Sequence, residues 1–189
     1  PKFPNLKYIS IGDGDERKNL EKLRVELGLN KKVELIFKST EQEKVALLEN
    51  SDVFVMPSVI YKKSVEGFGI TYIEAASYGT PSIGGIYGGE GDAIKSGHTG
   101  YLCNGNDLNA LYETLLKILE NDHYKELAIK LGIPVKNIKV INPGCNYPIH
   151  IEKEAKEFAE KMFNGASPKL ITVSRLDRRK SHQNILMTI

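Results

Sequence analysis

Short apolar runs alternate along the chain with segments whose apolar residues recur at helical spacing. The runs typical of strands occupy residues 6–11, 33–37, 52–56, 81–83, 138–141 and 169–173. Apolar positions three and four apart predict helices over residues 17–27, 41–50, 70–78, 108–119, 152–163 and 181–189. This alternation favours an α/β fold in which a parallel sheet has helices on both faces.

Ligands of open parallel sheets bind beyond the carboxyl ends of the strands. The loops that follow the predicted strands are therefore the first places to look for a site, and they comprise residues 12–16, 38–39, 57–69, 84–91 and 174–180. The segment at 84–91 contains five glycines and predicts either a flexible loop over a ligand or an ordinary surface loop.

Composition limits the class of protein. A chain of 189 residues with 41% apolar residues predicts one domain over residues 1–189. A net charge of +2 argues against a nucleic-acid partner. The two cysteines, Cys103 and Cys145, form neither a disulfide framework nor a zinc pattern. Because neither a long apolar stretch nor a signal-peptide pattern is present, we expect a cytoplasmic protein.

The loop before the third predicted helix carries the most informative chemistry. Glu66, Gly67, Phe68 and Gly69 immediately precede the helix, and Glu74 lies about one turn into it. The glycines allow a ligand to approach the backbone, and a helix N-terminus favours phosphate. Both carboxylates could accept hydrogen bonds from sugar hydroxyls. The alternative interpretation is a glycine-rich loop with two solvated glutamates.

The residues around this loop resemble the retaining glycosyltransferases of the GT-B fold, family four. Their pattern, a glutamate followed after seven residues by a second glutamate, is matched at Glu66, Gly67, Phe68, Gly69, Glu74, Ala75, Gly79 and Pro81. The segments at 11–14 (IGDG) and 97–102 (GHTGYL) are also similar to that family. The resemblance implies a Rossmann-like domain, one half of a GT-B fold, that binds the nucleotide-sugar donor.

A basic segment near the end of the sequence supplies matching cations. Residues 174–180 (SRLDRRK) follow a predicted strand and resemble the family segment whose Arg and Lys hold the donor pyrophosphate. Arg175 and Lys180 have the family's spacing, whereas Ser174 and Ser181 replace its glycines. Two cations at a strand end suit a diphosphate that gains charge as a sugar leaves. The alternative interpretation is a solvated basic turn.

The resemblance implies a role for each matching residue. Arg175 and Lys180 would hold the diphosphate, Glu74 would accept hydrogen bonds from the ribose, and Glu66 would hold the hexose. Glu66, Arg175 and Lys180 are the expected catalytic residues. The other expected contacts to the donor, which carries UDP or GDP, come from Gly67, Phe68, Gly69, Ile70, Thr71 and Gly12, with Lys38 and Ser39 near the base. No metal or other cofactor is expected.

The chain departs from the family in the order of its segments. In the family the Arg-Lys segment opens the domain, whereas here it follows the other motifs. A circular permutation, natural or engineered, explains this order if the original ends are joined near residues 121–130; segments written out of order would explain it equally. The resemblance covers only the donor half of the family enzyme, so we expect no counterpart of the amino-terminal acceptor domain in these residues apart from a lead-in at 138–144 (IKVINPG). Any membrane contact is expected through that absent half.

Other classes of function remain open at the level of sequence. A nucleotide-sugar epimerase of the same fold would bind the same donor, and a non-catalytic nucleotide-binding or permuted folding module would explain the missing half. Asp13 and Asp15 have the spacing of a metal-chelating pair, but they occupy the family's Gly-Asp-Gly turn. Arg17 stands where a dinucleotide-binding fingerprint needs its third glycine.

Overall fold

A computed structural model describes residues 2–120 and 149–189. In these residues six parallel strands form one sheet in the order β2-β1-β6-β3-β4-β5. The strands are β1 (Lys7–Ile11), β2 (Val33–Ile36), β3 (Val53–Met56), β4 (Ser82–Gly84), β5 (Gly100–Leu102) and β6 (Lys169–Val173). The strand predicted at 138–141, the lead-in at 138–144 and the joint predicted near 121–130 lie outside the described residues.

Seven α-helices connect or follow these strands in the described ranges. They are α1 (Arg17–Glu26), α2 (Glu41–Glu49), α3 (Ile70–Ser77), α4 (Glu90–Ala93), α5 (Leu108–Leu119), α6 (Lys153–Phe163) and α7 (His182–Thr188). Local caps explain several of the helix starts. Thr40 and Glu43 form the predicted capping box of α2, and the Asp107 side chain accepts the Asn109 and Ala110 N–H groups at α5.

The register of the central strands places their carboxyl ends at one edge. Ile11 of β1 lies beside Val173 of β6, and Phe54 of β3 lies beside Ile171. The loops after β1, β3 and β6 therefore leave the sheet together. Since β6 has β1 on one side and β3 on the other, the strand connections diverge at this point, which is where doubly wound sheets bind ligands.

Alternate residues of the strands build a core on each face of the sheet. Tyr8, Val55 and Leu170 face one cluster, and Ile9, Phe54 and Ile171 face the other. Helices α1, α5 and α7 contribute apolar residues to the first cluster, and α2, α3 and α6 contribute to the second. Both faces are thus covered by helices, as the alternating pattern predicted.

Two elements were missed by the sequence pattern. Strand β5 has only three residues, and its Gly100 (φ +153°) lies so close to β4 that a Cβ would be 1.9 Å from the Ser82 carbonyl oxygen. Helix α4 begins within the segment 84–91, which was predicted to be a loop, and ends two residues beyond it. Strand β4 begins and ends one residue later than predicted. In residues 2–120 and 149–189, no helix has both the length and the apolar character that a membrane span requires.

Candidate functional site

A cavity of about 370 Å³ opens at the carboxyl ends of β3 and β6. The loop before α3 and the start of that helix form one wall, and the segment after β6 forms the other. Its lining residues are Glu66, Phe68, Gly69, Ile70, Thr71, Val173, Ser174, Arg175, Arg179 and Lys180. The structure therefore brings together seven residues that the sequence assigned to one site from segments more than 100 positions apart.

The N-terminus of α3 lies at this cavity because Gly69 turns the chain into the helix. Gly69 is the N-cap in the left-handed conformation (φ 75°), and a Cβ there would lie 2.3 Å from the Tyr72 ring. Tyr72 is buried and donates its hydroxyl proton to the Met56 carbonyl at 2.5 Å, which attaches the first turn to the end of β3. Ile70 and Thr71, the first two helical residues, line the cavity.

The four cations after β6 differ in their partners. Arg178 pairs with Glu16 at 3.2 Å and Arg179 with Asp177 at 3.6 Å. Lys180 is almost buried and donates to the Glu66 carboxylate. No carboxylate within the described ranges pairs with Arg175, which is exposed at the cavity. Arg175 is therefore the guanidinium available to an anion.

The ion pair between Glu66 and Lys180 spans the cavity. The two side chains are only 12% and 9% exposed, so they are largely removed from water. The sequence assigned both residues to the donor, and in the structure each is the hydrogen-bond partner of the other. A ligand that contacts either group has to compete with this ion pair.

Arg179 is a cavity residue that the sequence interpretation missed. Its Nη1 donates to the Ser64 hydroxyl at 3.0 Å and to the Val65 carbonyl at 3.1 Å, and the Val59 N–H donates to its carbonyl at 2.7 Å. Arg179 thus attaches the loop that carries Glu66 to the basic segment. The only available signal was its position within that segment.

Glu74 lies outside the cavity wall. It is buried in α3, and its Oε2 is 3.4 Å from the Nζ of Lys44 on α2. If Glu74 accepts a hydrogen bond from a ribose, that ribose lies beside the cavity and not within it. Its predicted role is not tested by this arrangement.

The remaining predicted contacts also lie outside the cavity wall. Gly67 precedes the lining residue Phe68 and has no atom near its absent Cβ. Gly12 (φ +141°) packs directly on the segment after β6, where a Cβ would lie 2.0 Å from the Ser174 carbonyl oxygen. Lys38 and Ser39 follow β2 at the same edge of the sheet, and Lys38 is exposed. Their contacts with the base stay a prediction.

The glycine-rich segment at 84–91 packs against the loop that carries Glu66. A Cβ on Gly88 would lie 2.3 Å from the Glu66 carbonyl oxygen, and one on Gly89 would lie 1.8 Å from the Gly67 carbonyl oxygen. The Gly89 N–H donates to the Glu66 backbone carbonyl at 3.1 Å. No residue of this segment is among the cavity's lining residues. Close backbone packing thus holds Gly88 and Gly89 against the Glu66 loop, and the expectation that the segment covers the sugar stays a prediction.

Burial raises the pKa values of two residues near the cavity, Glu90 and Tyr72. Glu90 is 1% exposed; its Oε2 accepts the Gly88 N–H at 2.9 Å, and its Oε1 has no hydrogen-bond partner in the described residues. Burial raises the pKa of Glu90, and the Glu66 charge raises it further, while Lys180 lowers it. Burial and the Glu90 charge also raise the pKa of Tyr72.

The residues at the cavity are suited to an anion rather than to a metal. In the described parts of the chain, no group of three or more His, Cys, Asp or Glu side chains could hold a metal ion. The absence of a metal from the reaction stays a prediction. Free helix N–H groups, Arg175 and Lys180 instead provide donors and positive charge, and Glu66 provides a hydrogen-bond acceptor.

The fold and the site together define an α/β protein with a cavity, lined by Arg175, Arg179 and Lys180, at the switch point of a parallel sheet. Residues 1–133 match the family model described as Glycosyl transferases group 1. Because this match covers more than half of the chain, the chain belongs to that family and is a glycosyltransferase domain.

Individual relatives agree with this family. The chain is 35% identical over 112 residues to a D-inositol 3-phosphate glycosyltransferase of Corynebacterium urealyticum, covering 59% of this chain and 25% of the relative. It is 28% identical to a phosphatidyl-myo-inositol mannosyltransferase of Mycobacterium leprae, covering 69% of this chain and 33% of the relative. It is 27% identical to a 2-deoxystreptamine N-acetyl-D-glucosaminyltransferase of Niallia circulans, covering 79% of this chain and 37% of the relative. The chain spans about a quarter to a third of the length of the Corynebacterium urealyticum relative and of two further relatives from the same genus.

Proposed function

We propose that this chain is the donor-binding domain of a retaining glycosyltransferase that transfers a sugar from a nucleoside diphosphate to an acceptor hydroxyl. One observation carries the proposal: Glu66, Arg175, Lys180 and the N-terminus of α3 surround a single cavity of about 370 Å³. The diphosphate lies between Arg175 and the helix N-terminus, and the hexose lies toward Glu66.

The cations in this cavity would favour departure of the nucleoside diphosphate. The leaving group gains negative charge as its bond to the sugar breaks, and preorganised donors stabilise that charge. Arg175 has no competing carboxylate in the described residues, whereas Lys180 becomes available when the ligand displaces Glu66. We propose that these groups replace the metal ion that other transferases use.

A partner domain would complete the enzyme. The cavity is open on one side, and the chain spans only about a quarter to a third of relatives named as glycosyltransferases. We propose that an acceptor-binding domain of the family covers this side and contributes groups that position the acceptor. The isolated chain is then expected to bind donor nucleotides without transferring sugar.

The sheet order supports a circular permutation. If β6 is counted as the first strand, the observed order β2-β1-β6-β3-β4-β5 becomes 3-2-1-4-5-6, the common order of doubly wound sheets. The last strand in the chain thus occupies the position of a first strand. A variant in which residues 149–189 precede residue 2 should fold and bind nucleotide with unchanged affinity; failure of that variant to fold would count against the permutation.

Calorimetric titration of UDP, GDP and their nucleosides tests the proposed function. We expect one of the diphosphates to bind at least tenfold more tightly than its nucleoside. Arg175→Ala should weaken diphosphate binding by about 1.5–3 kcal/mol, the scale of a charged hydrogen bond. Arg178→Ala is the matched control, because Arg178 lies in the same turn but pairs with Glu16.

Two outcomes would contradict the proposal. Equal affinity for nucleoside and diphosphate would show that the cavity does not recognise phosphate. Equal losses of diphosphate affinity in the Arg175 and Arg178 variants would indicate a general charge effect. Product analysis with UDP- and GDP-sugars separates the remaining classes: transfer to an added acceptor indicates an active transferase, and a changed sugar on the nucleotide indicates an epimerase.

A further inference from the structure

His182 is a buried residue next to the cavity. It begins α7, is 2% exposed, and lies between β1 and the segment after β6. Its Nδ1 is 3.3 Å from both the Tyr8 and the Ser10 hydroxyl oxygens. Its Nε2 is 3.0 Å from the Ser174 hydroxyl oxygen and 3.4 Å from the Arg175 carbonyl oxygen. The ring therefore connects the core of the sheet to two residues that line the cavity.

The hydrogen bonds around the ring have a defined direction. The Thr172 hydroxyl donates to the Val55 carbonyl, and the Tyr8 hydroxyl donates to Thr172 at 2.8 Å. Because Tyr8 has used its only proton, it can only accept a hydrogen bond from Nδ1 of His182. The neutral tautomer assigned from this network carries its proton on Nδ1 and accepts the Ser174 hydroxyl proton at Nε2.

The segment that bears Arg175 is fixed from two sides. On one side the Ser174 N–H donates to the Ile11 carbonyl at 3.0 Å, and the Leu176 N–H donates to the Asp13 carbonyl at 3.1 Å. On the other side lies the His182 ring. Arg175 itself is exposed, so its own side chain does little to fix the backbone from which it extends.

We propose that His182 is a positioning residue for the donor diphosphate, which it serves by holding Ser174, the residue before Arg175, so that the Arg175 guanidinium faces the cavity. This inference rests on the proposed function. Without the ring, the Ser174 hydroxyl loses a buried partner, and the segment has to be ordered when the ligand binds. Burial lowers the pKa of His182 to about 4, so the ring stays neutral near pH 7.

Substitutions at His182 distinguish the roles of its two ring nitrogens. Gln can place an amide oxygen where Nε2 lies, and Asn can reach only the Nδ1 side. We expect His182→Leu and His182→Asn to weaken diphosphate binding about tenfold, with nucleoside binding changed less than twofold. His182→Gln should stay within threefold of the unsubstituted chain. Asn also serves as the polar substitute if the Leu variant does not fold.

Tyr8→Phe is the matched structural control. It removes a hydroxyl from the same network, at a residue that is 0% exposed, but it leaves the Ser10 hydroxyl beside Nδ1 and the Ser174 hydrogen bond at Nε2 in place. We expect this variant to lower the melting temperature and to bind diphosphate like the unsubstituted chain. If Tyr8→Phe and His182→Asn weaken diphosphate binding equally, His182 acts through general stability and the proposal is overturned.

Hydrogen exchange of the ligand-free chain tests the positioning without any nucleotide. The Asp177 N–H donates to the Arg175 carbonyl at 3.0 Å, so its exchange reports on that peptide. We expect exchange at Asp177 to accelerate at least fivefold in His182→Asn and to be unchanged in Tyr8→Phe. Unchanged exchange in the Asn variant would overturn the inference even if the unsubstituted chain binds diphosphate. If the unsubstituted chain binds no diphosphate, the proposed function itself is wrong, and the exchange result still decides whether His182 holds the segment.

Discussion

Replacing Glu66 with Gln should strengthen the binding of a bare nucleoside diphosphate but not that of a nucleotide sugar. Glu66 accepts a hydrogen bond from Lys180, and the two side chains are only 12% and 9% exposed. A bare nucleoside diphosphate has to displace this carboxylate from Lys180. Its negatively charged terminal phosphate would also lie near the Glu66 carboxylate. A nucleotide sugar instead offers Glu66 new partners in its hydroxyl groups.

The magnitude follows from the burial of the pair. A hydrogen bond between charged groups contributes about 1.5–3 kcal/mol, and loss of the competing carboxylate returns only part of this to the ligand. We therefore expect Glu66→Gln to strengthen diphosphate binding by about 1.4 kcal/mol, which is roughly tenfold. Nucleotide-sugar binding should not strengthen, so the preference of the site for the sugar-bearing ligand falls by about tenfold or more.

Calorimetric titration of both ligands into both proteins measures this effect. Glu16→Gln is the matched control because it removes the same charge beside Arg178, whose guanidinium lies 3.2 Å from the Glu16 carboxylate. We expect the control to change neither affinity by more than twofold. The reasoning is refuted if Glu66→Gln weakens diphosphate binding, or if the control strengthens it as much.

Three further changes test other parts of the structure. Lys180→Ala should weaken diphosphate binding by about 1.5–3 kcal/mol and leave nucleoside binding unchanged, as calorimetry can check. Burial lowers the pKa of His182 from 6.5 to about 4, so the unfolded chain binds that proton first as the pH falls. Stability should therefore drop by up to about 3 kcal/mol between pH 6.5 and 4, and a His182→Gln variant should lack this drop in urea unfolding. Gly12→Ala should destabilise the chain by about 2 kcal/mol, because its Cβ would lie 2.0 Å from the Ser174 carbonyl; an unchanged urea midpoint would contradict that contact.

The sequence predicted the elements whose signals are local. Strand β6 has its predicted bounds, and the Thr40 capping box starts α2 because Thr40 and Glu43 are neighbours on the chain. Strand β5 was missed because its pairing with β4 is set by packing at Gly100, which is a tertiary contact, and not by an apolar run of its own.

The candidate site was predicted as a set of residues but not as an arrangement. Motif spacing identified Glu66, Arg175 and Lys180, whereas the contact between Glu66 and Lys180 joins positions 114 residues apart. Such a contact depends on the tertiary fold, which places the loops after β3 and β6 side by side. The contribution of Arg179 to the cavity wall and the support from the 84–91 segment depend on the same packing.

A crystal structure of the chain with a bound nucleoside diphosphate tests the central claim most directly. The account predicts a diphosphate within hydrogen-bond distance of Arg175 and of the N–H groups at the start of α3, with Lys180 moved from Glu66 to the ligand. A diphosphate bound elsewhere, with Arg175 in solvent and the ion pair between Glu66 and Lys180 unchanged, would contradict it.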